Sequence, residues 1–271
     1  MNHLNMLRFA LVLSLFLSSS LWAKSDYNEA LLRIVRQMPK GGGYDASDST
    51  IRTLESSMIM AKEAAHSTIN VNPEKASPSF CSGATYTAFL QLLSVLQKQD
   101  GLALSDEVQK LLLVSGQPDG SGVWGRWNAN GPGTARLFFE LGLGRNFTME
   151  KLSEAKPGDF LKIFWNDEIG AKEQGHSVIF TGLRQKELVR ELCFWSSNKP
   201  SLESSEGGRG EKCVNVAKIR FGLFSRLEHP ERLADVPEKM GLRTKKYVDS
   251  YLQSMLKETS SQREVCEKVG C

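Results

Sequence analysis

The sequence contains no CxxC pair and no HExxH, the spacings that most directly announce a metal site. No phosphate-loop pattern accompanies its glycines, and no stretch of the chain repeats. Dense basic runs are absent and the formal net charge is only +3, so the electrostatic footprint of a nucleic-acid binder is missing. Hydrophobic content of 41% and charged content of 24% are those of an ordinary globular protein. A length of 271 residues suits one generous domain, or one domain with appendages. What the sequence does hold is four histidines and five cysteines, and any chemistry has to be sought among them.

Residues 1–23 have the layout of a secretory signal peptide. MNHLNMLR carries one Arg, FALVLSLFLSSSLW is apolar, and the small residue Ala23 precedes polar sequence. The apolar stretch is short for a bilayer span; an uncleaved anchor is the alternative. No Cys stands near Ala23 to take a lipid. The expectation is an exported protein, periplasmic or secreted, with no stable membrane span after cleavage. Export bears on the cysteines, because an even set tends to pair in an oxidising compartment and an odd one is left as a thiol. Cys193 and Cys213 lie in two β-like runs joined by a Gly-rich loop, and Cys266 and Cys271 bound a short terminal loop. Cys81 has no obvious mate, although connectivity does not follow from sequence alone.

Helical spacing marks Tyr27–Met38, stopped by Pro39 and a flexible KGGGYDASDS, and a second amphipathic helix capped by Ser49 or Asp48 runs to His66. A loop with two prolines leads to the most apolar helix, from about Cys81 to Lys98, which should be central and buried. Ser105 opens a further helix. SGQPDGSGVWGRWNANGPG then reads as a long Gly-rich loop with two tryptophans. Beyond it, GDFLKIFW, GHSVIFTGL and KELVRELCFW read as an antiparallel meander, CVNVAKIRFGLF as a fourth strand, and the charged tail as helical. Helices first and sheet second make this α+β. The division expected is 1–23 leader, 24–75 helical segment, 76–226 catalytic domain and 227–271 helical tail.

Three features line up. Cys81 lies in the first turn of the central helix, Gly175-His176 opens a strand, and the next strand ends in Ser196-Ser197-Asn198. A cysteine attacks as thiolate, and a helix N-terminus favours that negative charge. The same backbone N–H groups, those of Cys81 and Ser82, can hold the oxyanion of a tetrahedral intermediate. A neighbouring His can pair with the thiolate and protonate a leaving amine. A third polar group would orient the His: Asn198 is the choice, and Ser196, on the same strand face, the fallback.

These residues resemble the NlpC/P60 and CHAP group, papain-like cysteine amidases and endopeptidases of bacterial cell-wall peptides. The resemblance covers residues 76–225 and rests on Cys81-Ser82-Gly83 at a helix start, Pro157-Gly158-Asp159 before the first strand, His176 heading the second strand with Gly182 closing it, and a polar end to the next. Family members usually place Asp before the nucleophile, where this chain has Phe80, leaving Ser79 as cap. The resemblance implies a papain-like fold, its nucleophile helix packed on an antiparallel sheet with extra helices at both ends. It also implies hydrolysis of an amide in peptidoglycan peptides or a similar small peptide, through a Cys thioester and with no metal or organic cofactor. Acyl transfer on the same scaffold and an inactive cell-envelope binding module are the alternatives. Oligomeric state is not implied.

The remaining candidates have plainer readings. His66, taken as helical, and His229 look structural. Trp124 and Trp127 either fold their loop onto the body or wall a substrate groove. Asn128 and Asn130 suit turns, Asp159 its own turn, and Glu206–Gly210 a hairpin loop. Asn146-Phe147-Thr148 matches a glycosylation acceptor.

Overall fold

A computed structural model describes residues 26–63, 66–116, 119–201, 205–240 and 248–271, so the leader expected at 1–23 lies outside the described residues. The chain opens with α1 (Tyr27–Gln37), whose N-cap Asp26 accepts from the Asn28 and Glu29 N–H groups. A two-residue strand β1 (Gly41–Gly42) and α2 (Asp48–Ser56) follow. The helix expected to reach His66 stops at Ser56 and gives way to a hairpin of β2 (Met58–Glu63) and β3 (His66–Val71). Ser47 is the N-cap, in place of Asp48 or Ser49. Helical periodicity here yields to β-branched Ile59, Thr68, Ile69 and Val71 and to tertiary contacts. Gln97 accepts from the Ile69 N–H at 3.2 Å, and Gln109 donates to the Ser67 carbonyl at 2.9 Å.

The central helix α3 (Cys81–Gln99) is buried over most of its length. After α4 (Asp106–Leu112), capped by Ser105, the Gly-rich stretch contains a helix, α5 (Gly122–Asn128), followed by α6 (Gly133–Leu141). Trp124 and Trp127 stand three apart on α5, and therefore on one helical face. Each is only 2% exposed, which removes them as walls of a groove. Trp127 stacks on Phe89 of α3 at 4.9 Å between ring centroids, and Trp124 lies 5.1 Å from Tyr86. The Trp127 indole N–H donates to the Thr85 hydroxyl at 3.2 Å, so its polar edge is satisfied inside the core.

The sheet has seven antiparallel strands in the order β1-β9-β8-β7-β5-β10-β4, from β4 (Gly144–Thr148), β5 (Phe160–Phe164), β7 (Gly175–Lys186), β8 (Val189–Asn198), β9 (Gly208–Asn215) and β10 (Phe221–Leu227). A two-residue strand β6 (Ile169–Gly170) lies outside it. The single strand expected over residues 213–224 is two: β9 continues the meander, and β10 returns to the opposite side to pair with β5 and β4. Gly208 and Gly210 belong to β9 and not to a loop. Alternation along β5 is clean. Phe160 joins the core shared with the helices, while Leu161 and Ile163 join a second core with Phe147, Val178, Phe194 and Phe224.

The tail forms α7 (Val236–Met240), α8 (Ser250–Ser254), a two-residue strand β11 (Thr259–Ser260) paired with β6, and α9 (Gln262–Val269). Leu31 of α1, Phe89 of α3 and Val236 of α7 belong to one hydrophobic cluster, so both terminal segments build the same core as the middle of the chain. Disulfides join Cys193 to Cys213 across β8 and β9, and Cys266 to Cys271. Asn146 is buried and donates to the Ala135 and Val269 carbonyls at 2.8 Å, an unsuitable glycan acceptor. Among the described residues, no helix is long and apolar enough to cross a membrane.

Asp159 does more than hold its own turn. It accepts from the Lys156 N–H, from Asn28 of α1 at 2.7 Å and from the Nε and Nη2 of the Arg226 guanidinium at 2.8 and 2.7 Å. Gly158, at φ +95°, runs so close to α1 that a Cβ there would meet the Asn28 carbonyl at 2.4 Å. Asp159→Ala would strand Arg226 as an unpaired buried charge, with an expected loss of about 3–5 kcal/mol. Glu29→Ala, breaking the exposed Arg33–Glu29 pair, should cost less than about 1 kcal/mol. Urea midpoints measure both, and equal midpoints would remove the structural role given to Asp159.

Candidate active site

The N-terminus of α3 is delivered by a loop fastened at three points. The Ser197 hydroxyl donates to the Ser79 carbonyl at 2.8 Å, the Ser79 N–H to Gly43, and Arg209 to the Ala76 carbonyl. Phe80 is the N-cap residue, with no side-chain cap; Ser79 does not cap, and its hydroxyl is buried without a partner. The Phe80 ring folds over Gly83, where a Cβ would come within 3.2 Å of it, which explains the glycine in Cys-Ser-Gly. Ala84 is the residue whose N–H reaches the Phe80 carbonyl, so the N–H groups of Cys81, Ser82 and Gly83 have no intrahelical acceptor. Those of Cys81 and Ser82 are the expected oxyanion donors. The Ser82 hydroxyl donates to Asn128 at 2.6 Å, so Asn128, expected as a turn residue, ties the end of α5 to this first turn.

Cys81 is the free cysteine, partly buried. Its thiol lies beside His176, second residue of β7, and the Ser177 N–H, near enough for both to act on its charge. Burial pushes the thiol pKa up, but the His176 hydrogen bond and charge, the Ser177 N–H and the Lys162 charge outweigh it and bring the value down to about 6. His176 Nε2 lies 3.1 Å from Asn198 Oδ1. The Asn198 amide has one orientation, because both N–H donors are taken, by the Ser196 carbonyl at 3.1 Å and the Gly210 carbonyl at 3.0 Å. Oδ1 only accepts, so Nε2 carries a hydrogen and Nδ1 is the basic nitrogen left for Cys81. Asn198 is thus the third member of the series. Ser196, the fallback, commits its hydroxyl to the Ser177 carbonyl at 2.7 Å and makes no hydrogen bond to the imidazole.

Two neighbours of Cys81 were not singled out from the sequence. Tyr44 lies beside the Cys81 sulfur; burial first, then the Cys81 charge and hydrogen bonding to it, push its pKa up to about 12, so the hydroxyl keeps its proton. The KGGGYDASDS segment that carries it is an ordered strap. Gly41, Gly42 and Gly43 all have φ between +70° and +82°, and a Cβ on Gly42 would strike the Ser77 side chain at 2.1 Å. Three glycines directly before an aromatic residue were the available signal.

The second is Lys162, whose mark in the sequence is a lone charge inside the apolar run FLKIF. It pairs with Glu173 at 2.7 Å. Burial presses the Lys162 pKa down, and the charge and hydrogen bond of Glu173, with the Cys81 and Asp119 charges, more than offset this, so it ends above its ordinary value. Glu173 is held in turn by the Gly131 and Gly170 N–H groups. The pair lies across Gly175, where a Cβ would come within 2.9 Å of the Lys162 Nζ.

His229 is exposed, with Nδ1 3.1 Å from Glu231. His66 starts β3 instead of sitting on a helix. Among the described residues no three His, Cys, Asp or Glu side chains gather as a metal site requires. No protein-family model, curated protein or solved structure matches the chain.

The thiol chemistry is directly measurable. Iodoacetamide should alkylate Cys81 at a rate rising with pH through an inflection near 6. In His176→Ala the inflection should move up toward the ordinary cysteine value of about 8.5. A wild-type inflection at that ordinary value would remove the ion-pair character assigned to the site.

Proposed function

We propose that the protein is a cysteine hydrolase that cleaves an amide bond by way of a thioester on Cys81. The observation that carries this reading is the juxtaposition of the Cys81 thiol with His176, itself hydrogen-bonded to Asn198, at a helix N-terminus with unpaired N–H groups. In the proposed mechanism His176 Nδ1 holds the thiol proton while Asn198 keeps the ring oriented. The sulfur attacks the carbonyl carbon, and the Cys81 and Ser82 N–H groups, with the Tyr44 hydroxyl, receive the oxyanion. As the tetrahedral intermediate collapses, the C–N bond breaks and Nδ1–H protonates the departing amine. Water, deprotonated by the same nitrogen, then attacks the thioester and releases the acid and the thiol.

The chain order of parts supports an NlpC/P60-like, papain-like arrangement. Cys81 starts α3, the Pro157-Gly158-Asp159 turn precedes β5, His176 heads β7 and Asn198 ends β8. On that resemblance the substrate is a peptidoglycan peptide or a similar small peptide, met after export to the periplasm or beyond.

Purified muropeptides incubated with wild type and with Cys81→Ala, followed by mass spectrometry, test the reading. Products gaining one water in the wild type alone are expected, and equal product from both would end it. Products that incorporate an added amine would make the enzyme an acyltransferase. Tyr44→Phe should lower kcat on the order of a hundredfold, as loss of one oxyanion donor does, while Cys81 alkylation persists. An unchanged kcat would take Tyr44 out of the oxyanion site.

A further inference from the structure

A cavity of about 670 Å³ opens between α1, the Lys40–Gly41 segment and the β8–β9 pair, and the proposed reaction uses none of it except Asn198 on its rim. Its size is that of a small-molecule site, for which about 300–1,000 Å³ is usual. Among the described residues its lining is strongly one-signed: Arg36, Lys40, Lys199, Arg209 and Lys212 against one acid, Glu211. Five basic groups against one acid leave a local surplus of four positive charges among the described lining residues. None of the five cations forms an ion pair among the described residues. Glu211 itself is engaged by the Thr181 hydroxyl.

Arg209 adds an independent observation. It is 3% exposed, and one nitrogen, Nη2, donates to the Ala76 carbonyl. Its Nε and Nη1 are buried with no hydrogen-bond partner. Burial pushes the guanidinium pKa down, with only the Glu74 charge acting against it. A buried cation with two idle donors is costly and calls for a compensating anion. Elsewhere in this protein such cations have one: Arg226 faces Asp159 and Arg126 faces Glu140.

We propose that this cavity binds a small polyanion, a molecule bearing two or more phosphate or carboxylate groups, with Arg209 as its buried recognition cation. A singly charged ion would leave most of the cations uncompensated. A concave pocket on a chain without basic runs suits a compact ligand and not a nucleic-acid strand. Trp195 supplies an apolar wall beside the charges. The cavity adjoins the candidate active site through two residues. Asn198 lines it while orienting His176, and Lys199 lies 5.9 Å from the centre of the Tyr44 ring. The inference stands independently of the hydrolase reading.

Isothermal titration of the full chain at low ionic strength, with inorganic pyrophosphate and separately with citrate, tests it. Saturable binding of at least one is expected, and which one binds tells phosphate from carboxylate recognition. The double variant Lys40→Ala/Lys212→Ala should weaken binding by about tenfold or more, the equivalent of ~1.4 kcal/mol, and Arg209→Gln should abolish it. Thermal melts accompany each variant; if Arg209→Gln does not fold, the double variant, changed only at the rim, carries the test. No saturable heat with either anion up to about 10 mM, or an unchanged affinity in the double variant, overturns the proposal.

Discussion

The amide of Asn198 commits both of its N–H groups to the carbonyls of Ser196 and Gly210, and the order of the candidate site follows from that constraint. An amide so held can only accept at Oδ1, which places a hydrogen on His176 Nε2 and leaves Nδ1 basic. A basic nitrogen facing the thiol, together with the Ser177 N–H, is what lets a sulfur in a largely buried place hold negative charge. Because Gly210 belongs to β9, the tautomer of the histidine depends on the pairing of β8 with β9. The disulfide between Cys193 and Cys213 joins those same two strands.

The helix end has to meet the strand ends closely, and the chain reaches this through contacts far apart in sequence. Ser197 and Arg209 hold the loop before Cys81, and the triple glycine lets the strap with Tyr44 run beside it. On the other side α5 packs its two tryptophans against α3 and brings Asn128 to Ser82. The aromatic packing is thus also a positioning device for the first turn of the nucleophile helix.

Buried charge is the second theme. Arg226, Arg126 and Lys162 each face a carboxylate, which offsets the loss of hydration on folding. Lys162 and Glu173 lie across Gly175, next to His176, so one such pair contributes to the field at the thiol. Arg209 stands apart, because its folded neighbours supply one carbonyl and no ion pair.

Local pattern was enough for α1, α3, α4 and the strands at β5, β7 and β8, since each carries a helical apolar spacing or a compact run of branched and aromatic residues. Cys81, His176 and Asn198 were legible because a helix start and two strand ends mark places where polar groups escape burial. The hairpin at residues 58–71 was not, because an amphipathic pattern fits a helix until the contacts with Gln97 and Gln109 are known. Nor was the burial of Trp124 and Trp127, hidden by glycines that signalled a loop while the i,i+3 spacing signalled a helix. The sequence by itself determined the α+β class, the odd cysteine and the residues of the thiol series. Only the tertiary structure decided that Tyr44 and Lys162 stand beside the sulfur, that β10 crosses to the far side of β5, and that five cations share one cavity. Those are relations between segments scores of residues apart, and short-range periodicity carries no information about them.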